Sequence, residues 1–339
     1  MDNTLFKRVC DTPGIPGFED NVQAIAKDIL AGCCDEVTSD RIGNVIGIKK
    51  AAGKRDGRTP RLLLAAHADE IGMMVKHIDN KGFIHFIQVG GLNAQACESQ
   101  RVVIHSAEPV RGVIVPKGGD TKAAIADLLV DTGLPVDEVK KRVSPGDPMT
   151  YEGDASILND RMWVGRNFDD RAGTYCLLEA MRQVGETKVD VYAVSSVQEE
   201  VGLRGMHAAA RRLDPDIAIA IDGSMARGAY VNDRDNLTEP GKGTGIYLID
   251  KLTIGHPGLV RFLFGVAARH GIPHQLNIGG GTDASAIQKS GADVMATTIG
   301  APTRYMHSTV QLCHADDLDA TVDLLVKVME SAHELLELA

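Results

Sequence analysis

The pattern of apolar and polar positions divides the chain into an interrupted outer part and a middle part. Up to about residue 71 and again from about residue 161, continuous apolar runs alternate with amphipathic stretches, which predicts buried strands flanked by helices. Between them, short β-type runs are separated by turns such as Asp79-Asn80-Lys81-Gly82. The predicted fold class is therefore α/β. A mixed sheet sandwiched by helices spans residues 1–71 and 161–339, and a small β-rich domain is inserted at residues 72–160.

Individual elements follow from the same runs. In the outer part we predict strands at residues 61–66, 189–197, 216–221, 246–254 and 293–299. We predict helices there at residues 19–30, 171–184, 203–212, 258–270 and 316–338. In the insert we predict strands at residues 73–78, 82–89, 101–105 and 110–115, and a helical patch at residues 121–129.

Composition narrows the class of protein. The chain has 339 residues, of which 44% are hydrophobic, so it is long enough for a sizeable core. A net charge of −10 argues against nucleic acid or an anionic membrane as a main partner. Six cysteines without CxxC spacing indicate reduced, mostly buried thiols. With neither a signal-peptide pattern at Met1-Asp2-Asn3-Thr4-Leu5 nor a membrane-length apolar run, we expect a cytoplasmic protein.

The most informative motif is Glu199-Glu200, which follows the strongly apolar run at residues 189–197. Two adjacent carboxylates repel each other unless a positive charge lies beside them. In a metal site one can be a ligand while the other accepts a proton from water. Taken alone, the pair could simply open a helix, where acidic side chains suit the positive end of the dipole.

Four further segments place ligand-type side chains where strands end or helices begin, which is where ligands bind in open α/β sheets. They contain His67 with Asp69, Asp169 with Asp170, Asp222 before Gly223, and His307. Residues two apart in extended chain point to the same side, so Asp69 can lie beside His67 and orient its imidazole. Each segment alone could be a helix cap or a tight turn. Together they predict one cluster projecting from the same edge of one sheet.

Such a cluster suits metal ions. Two imidazoles and several carboxylates are typical ligands of borderline divalent ions such as Zn²⁺, Co²⁺ or Mn²⁺. They also suit a pair of ions about 3.5–4 Å apart that share a bridging carboxylate and a water.

These residues carry a family resemblance. The chain resembles the dinuclear aminopeptidases of metallopeptidase family forty-two, the TET-type and glutamyl aminopeptidases once labelled cellulase M. The resemblance runs essentially from end to end, and it rests on His67-x-Asp69, Asp169-Asp170-Arg171-x-Gly173, Glu199-Glu200-x-Gly202, Asp222-Gly223, His307-Ser308, Val89-Gly90-Gly91 and Gly279-Gly280-Gly281-Thr282-Asp283.

The resemblance implies a role for each site residue, and every ligand of the family pattern is present. It implies that one metal is held by His67 and Asp222, the other by Glu200 and His307, with Asp169 bridging, Glu199 as general base and Asp69 orienting His67. It implies two divalent ions per subunit, with Zn²⁺ as the first choice and Co²⁺ or Mn²⁺ as alternatives. Similarity to the wider clan also implies a cis bond between Asp169 and Asp170.

The implied activity is removal of N-terminal residues from short peptides with a free N-terminus. The resemblance further implies self-association through the insert, with dimers building a dodecamer. The preferred N-terminal side chain stays open. So does the loop Gly279-Gly280-Gly281-Thr282, which could border the substrate pocket or be a plain turn.

Three alternative functions differ from this one in what they require of the sequence. An amidohydrolase or deacylase on the same scaffold would cleave substrates with a blocked N-terminus. A glycosidase needs two carboxylates that flank a sugar, which leaves both histidines unexplained. A scaffold assembly without turnover would be favoured by loss of a ligand or of the base, and neither is lost.

Overall fold

The computed structural model describes residues 1–53, 57–119, 124–226, 228, 237–291 and 293–337. Its α-helices are α1 (Asn3–Asp11), α2 (Asp20–Ala31), α3 (Ala94–Cys97), α4 (Val136–Arg142), α5 (Phe168–Gln183), α6 (Arg204–Leu213), α7 (Pro257–His270), α8 (Ala284–Gln288) and α9 (Ala315–Glu337). Single 3₁₀ turns cover Lys117–Gly119 and Ile125–Asp127.

The strands form two open sheets and a barrel. In chain order they are β1 (Glu36–Ser39), β2 (Val45–Lys49), β3 (Arg61–His67), β4 (Gly72–Ile78), β5 (Ile84–Val89), β6 (Arg101–Ile104), β7 (Val110–Pro116), β8 (Leu128–Asp131), β9 (Pro148–Tyr151), β10 (Ser156–Asn159), β11 (Met162–Gly165), β12 (Asp190–Ser196), β13 (Ile217–Ile221), β14 (Ser224–Met225), β15 (Thr244–Ile249), β16 (His274–Ile278), β17 (Met295–Gly300), β18 (Pro302–Arg304) and β19 (Gln311–His314).

The largest sheet is mixed and has eight strands in the order β1-β2-β12-β3-β13-β17-β15-β16. Its central strands β12, β3, β13 and β17 run parallel, so their carboxyl ends meet at one edge. Strand β3 shows why such strands read as continuous apolar runs. Leu62 and Leu64 pack in the cluster that contains α5 and α9, whereas Leu63 and Ala65 pack in the cluster that contains α6 and α8. Both faces of the sheet are therefore covered by helices.

A second, five-stranded sheet has the order β10-β11-β19-β18-β14. Strand β11 leads directly into α5, and strands β18 and β19 are joined by the segment that carries His307. This small sheet therefore supplies two connections that reach the edge of the large sheet.

The six strands from Gly72 to Tyr151 close into a barrel in the order β4-β5-β8-β7-β6-β9. Its core is a separate apolar cluster that includes Met73, Ile84, Ile114 and Val130. The chain leaves the large sheet after β3, completes the barrel and returns through β10 and β11.

The structure confirms the predicted α/β fold class, a mixed sheet sandwiched by helices with a β-rich insertion. No helix among the described residues is long and apolar enough to cross a membrane.

Three local predictions are wrong. Residues 121–123 of the predicted helical patch lie outside the described residues, but its end forms a 3₁₀ turn and β8, because Leu128 and Val130 pair with β7 to close the barrel. The strand predicted at residues 246–254 ends at Ile249, where the Asp250 carboxylate accepts the N–H groups of Leu252 and Thr253 and turns the chain. The third error concerns the site itself: its residues do not all project from one sheet.

Candidate active site

The large sheet supplies three of the connections that build the site. His67 is the last residue of β3 and is paired in register with Ser196, the last residue of β12. Glu199 and Glu200 follow β12, and Asp222 follows β13 directly. Because these strands are adjacent and parallel, their carboxyl ends place the four side chains together, as predicted.

The other two side chains come from the small sheet, which corrects the prediction of a single edge. Asp169 follows β11, and its N–H donates to the side-chain oxygen of Gln311 on β19 at 2.8 Å. His307 lies between β18 and β19 with a left-handed φ of 58°. The bond between Asp169 and Asp170 is cis, which confirms the prediction made for it.

Asp169 lies between the two histidines. Its Oδ1 is 3.3 Å from Nε2 of His67, and its Oδ2 is 3.2 Å from Nε2 of His307. The two glutamates take opposite sides of this arrangement. An Oε2 of Glu199 lies 3.9 Å from His67 Nε2, and an Oε2 of Glu200 lies 3.5 Å from His307 Nε2.

Two groups of potential ligands result. The ligand atoms within each group lie within 4.8 Å of one another, and the groups are His67, Asp170 and Asp222, and Asp169, Glu200 and His307. Asp170 lay in one of the predicted segments but was given no role at the site. Its Oδ2 accepts the backbone N–H of His67 at 3.2 Å and its Oδ1 accepts that of Gly173, so both oxygens also hold the backbone.

The electrostatics of the cluster are unbalanced. Burial raises the pKa of Glu199 and of Asp222 well above the ordinary range, and burial together with Asp169 raises the pKa of Glu200 to about 8. The pKa of Asp169 is lowered, because hydrogen bonds from His307 and His67 outweigh its burial. The same hydrogen bond raises the pKa of His307 to about 9. The buried carboxylates therefore outnumber the two histidines whose positive charge could offset theirs.

This donor set fits divalent cations. It offers imidazole nitrogens and carboxylate oxygens, the mixture preferred by borderline metal ions. Oε1 of Glu200 is buried without a hydrogen-bond partner in the described part of the chain, which is expected of an oxygen that a cation would satisfy. Nearby positive charge would also let the buried carboxylates ionise together.

Asp69 does more than predicted. The imidazole Nδ1 of His67 lies 3.1 Å from the backbone carbonyl oxygen of Asp69 and 3.6 Å from its carboxylate. The carboxylate itself accepts the backbone N–H groups of Glu199 and Glu200, each at 3.0 Å. It therefore joins the end of β3 to both glutamates.

Asp283 is a second buried carboxylate that sequence reasoning did not assign to the site. Its Oδ2 accepts the hydroxyl of Ser196 at 2.5 Å, at the end of β12. Burial raises its pKa to about 6. The quoted motif Gly279-Gly280-Gly281-Thr282-Asp283 contained it, but only the fold shows that it lies beside the strand that leads to Glu199.

A cavity of about 480 Å³ opens over the cluster. Asp169, Glu199, Glu200, Asp222 and His307 line it on one side. Gly280, Gly281 and Thr282 also line it. Of the two interpretations of this glycine-rich loop, a border of the substrate pocket or a plain turn, the structure therefore favours the first. The remaining lining residues are Gly223, Met225, Tyr247, Lys251, Leu252 and Met306. Among the lining residues that the structure describes, Lys251 is the one lysine or arginine.

Buried carboxylates together with two imidazoles, gathered beside the carboxyl edge of an α/β sheet and facing a cavity, are the arrangement expected of a metal-dependent hydrolase. The profile of the M42 glutamyl aminopeptidase family matches residues 43–324. The chain belongs to this family of metal-dependent aminopeptidases, which hydrolyse peptide bonds.

Individual relatives cover nearly the whole chain. A protein named putative aminopeptidase from Acetivibrio thermocellus is 33% identical over 96% of this chain and 97% of its own length. A lysyl aminopeptidase from Pyrococcus furiosus is 32% identical over 97% of each chain.

Solved aminopeptidase structures have the same fold as this chain. An aminopeptidase from the archaeon Desulfurococcus kamchatkensis has a TM-score of 0.94 and 32% identity, with 98% of this chain and 96% of that chain covered. The TET1 peptidase of Pyrococcus horikoshii has a TM-score of 0.85 and 29% identity, with 96% and 98% covered, and it can assemble into a tetrahedron or a large octahedral shell.

Proposed function

We propose that this chain removes single residues from the free N-terminus of short peptides at a site that holds two divalent cations. The observation that carries the proposal is the position of Asp169, whose two carboxylate oxygens each face a different histidine. A single carboxylate placed in this way suits a bridge between two ions.

The ligand roles follow from this placement. His67 and Asp222 would hold one cation, Glu200 and His307 the other, and Asp169 both. When bound, the cations supply the Lewis acidity that makes water a nucleophile near neutral pH. We propose Zn²⁺ for both positions, with Co²⁺ or Mn²⁺ as alternatives, because all three accept imidazole and carboxylate ligands.

Glu199 serves as general base and then as general acid. It lines the cavity beside the ligands, and the positive charge of bound cations would let its carboxylate ionise and accept a proton. We propose that it accepts the proton of the attacking water and passes it to the leaving amine. Asp69 fixes the backbone of Glu199 and lies beside the ring of His67.

The site would favour a free N-terminus. Glu199 lines the cavity beside the proposed ligands Glu200 and Asp222, so the amino group of the first peptide residue would meet its carboxylate there. As a nitrogen base, a free amino group also suits divalent cations as a ligand. A blocked N-terminus and an internal residue both lack this group.

The cavity wall away from the proposed ligands would contact the side chain of the first substrate residue. Met225, Leu252 and Met306 offer apolar contact, and Lys251 adds a positive charge. We propose that acidic and neutral N-terminal residues are preferred over basic ones, because like charges repel. The relative from Pyrococcus furiosus is named for lysine, so this chain would differ from it in preference.

We further propose that residues 72–160 form an oligomerisation domain and residues 1–71 and 161–339 the catalytic domain. The closed barrel with its own apolar core supports this division. Dimers joined through the barrel would assemble into a dodecamer, a proposal supported by the tetrahedron of the Pyrococcus horikoshii peptidase. Light scattering should then give a mass near twelve times 36.2 kDa. A stable, fully active monomer would contradict the proposal.

We also propose a cytoplasmic location. The six cysteines are all free, which suits a reducing compartment.

A panel of chromogenic aminoacyl substrates tests the function. The purified protein is stripped of metal, reloaded separately with Zn²⁺, Co²⁺ and Mn²⁺, and assayed with glutamyl, leucyl, methionyl and lysyl substrates. We expect hydrolysis that depends on added metal and is weakest for the lysyl substrate. Absence of hydrolysis with every metal and every substrate would refute the aminopeptidase assignment.

A further inference from the structure

Four successive backbone N–H groups at residues 197–200 donate to buried side chains instead of to a neighbouring strand. Val197 donates to Oδ1 of Asn44 at 3.1 Å, and Gln198 donates to Oε1 of Glu19 at 3.1 Å. Glu199 and Glu200 donate to the two carboxylate oxygens of Asp69, both at 3.0 Å. We call Asn44, Glu19 and Asp69 the acceptor cradle.

The chemistry of the site explains why regular pairing stops here. Successive side chains of a strand point to opposite faces, yet Glu199 and Glu200 must both face the cluster. They do so because Gln198 has a left-handed φ of 57°, a conformation that non-glycine residues rarely adopt. The N–H groups of such an irregular segment need other acceptors when they are buried. The cradle supplies them.

Glu19 is the cradle member that lies at a helix start without capping the helix, and its carboxylate contacts the backbone of Gly17 as well as that of Gln198. It precedes α2, where an acidic side chain commonly caps the helix, but it makes no side-chain capping bond to that helix. Its carboxylate is buried, with the residue 5% exposed, and accepts the N–H of a residue 179 positions away. Burial raises the pKa of this carboxyl to about 7, and buried carboxyls with a raised pKa are often found at functional sites.

We infer that Glu19 is a positioning residue for the reaction: through Gln198 it holds the turn that presents Glu199 and Glu200 on the two sides of Asp169. This inference rests on the proposed function, because it takes those two glutamates as the base and a ligand. Glu19 is not among the described residues that line the cavity, so its hydrogen bond with the N–H of Gln198 is the contact through which it would position the glutamates.

The test compares three variants of the full-length, metal-reloaded protein. Glu19→Ala removes the acceptor. Glu19→Gln keeps an oxygen that can accept from Gln198 and removes the charge. Asp20→Ala is the matched control, since Asp20 is the neighbouring acidic residue, exposed, at the start of α2. The readouts are kcat and KM with a chromogenic substrate, metal bound per chain, and hydrogen exchange of the peptide covering residues 197–200.

We expect Glu19→Ala to lower kcat by about 10- to 100-fold, the effect of a small misplacement of catalytic groups, with KM changed far less. Amide exchange at residues 197–200 should rise in this variant and in neither of the others. Glu19→Gln should restore kcat to within about threefold of the unmodified protein, because the accepting oxygen remains. Asp20→Ala should match the unmodified protein in every readout.

Two results would overturn the inference. One is a Glu19→Ala protein whose kcat and exchange both match those of the unmodified protein. The other is an equal loss of kcat in Glu19→Ala and Glu19→Gln, which would mean that the acceptor oxygen is not what matters. If Glu19→Ala does not fold, Glu19→Asp, whose carboxylate is one methylene short, takes its place with the same expectations. An inactive unmodified protein would refute the proposed function, while the exchange measurement would still test the cradle.

Discussion

The active site and the barrel are both built on β-strands, but they differ in what they bury. In the barrel, antiparallel strands pair regularly around an apolar core, and ion pairs such as those of Arg101 and Arg111 with Glu152 lie at its surface. At the site, carboxylates are buried together, and Gln198 after β12 and His307 after β18 adopt left-handed conformations. The core of the barrel is apolar, whereas the site departs from this pattern by burying charge that its surroundings must support. Such departures concentrate at functional sites.

The largest expected effect separates chemistry from structure within the site. Glu199→Gln should lower kcat by about 10²–10⁴-fold, because a general acid–base group is lost. Metal content should be unchanged, because Glu199 is not a proposed ligand. Peptide hydrolysis and metal analysis on one sample check both statements. Activity above about one per cent of the unmodified protein would remove Glu199 from this role.

A cavity in the barrel core and a cavity beside the large sheet should have different effects on activity. Ile114→Ala, in the fully buried barrel core, should lower the free energy of unfolding by about 2–5 kcal/mol. It should leave kcat per folded subunit unchanged. The matched variant is Ile219→Ala in β13, three residues before Asp222, which should lower both stability and kcat. Denaturant unfolding and kinetics at a temperature where both variants are folded provide the comparison. A fall in kcat for Ile114→Ala alone would contradict the separation of the two regions.

The next prediction concerns the stability that bound metal gives to the fold through the site. Chelation should lower the melting temperature, because bound ions at about one hundred times their dissociation constant stabilise a fold by roughly 2.7 kcal/mol. The Asp169→Asn variant, which lacks the proposed bridge, is the control and should respond much less. Differential scanning calorimetry with and without chelator measures the difference. An unchanged melting temperature of the unmodified protein would argue against resident cations.

The smallest expected effect concerns the pocket wall. Lys251→Glu should shift the ratio of kcat/KM for glutamyl over lysyl substrates by about two- to fivefold toward lysine, since interactions of exposed charges are weak. Lys242→Glu, an exposed lysine that does not line the cavity, is the control. An unchanged ratio in Lys251→Glu would show that other residues decide the preference.

Much of this picture could be predicted from the sequence. Continuous apolar runs located β3, β12, β13 and β17, and the rule that ligands lie at strand ends selected the segments of the site. The resemblance then supplied roles for His67, Asp69, Asp169, Glu199, Glu200, Asp222 and His307, and the structure brings all seven together.

What could not be predicted depends on contacts between distant residues. No local pattern links Glu19 to Gln198, which are 179 positions apart, or Asp283 to Ser196. The use of two sheets was missed because β11, β18 and β19 are only three or four residues long. The first two residues of β8 were predicted to end a helix, but pairing within the barrel outweighs their local propensity.

The central claim is that the site selects a free N-terminus. The most direct measurement is cleavage of one short peptide in two forms, unmodified and N-acetylated, by the metal-reloaded protein, with products identified by mass spectrometry. We predict stepwise release of the first residue from the unmodified peptide and no cleavage of the acetylated one. Equal or faster cleavage of the acetylated peptide would contradict the account and favour a deacylase or amidohydrolase on the same scaffold.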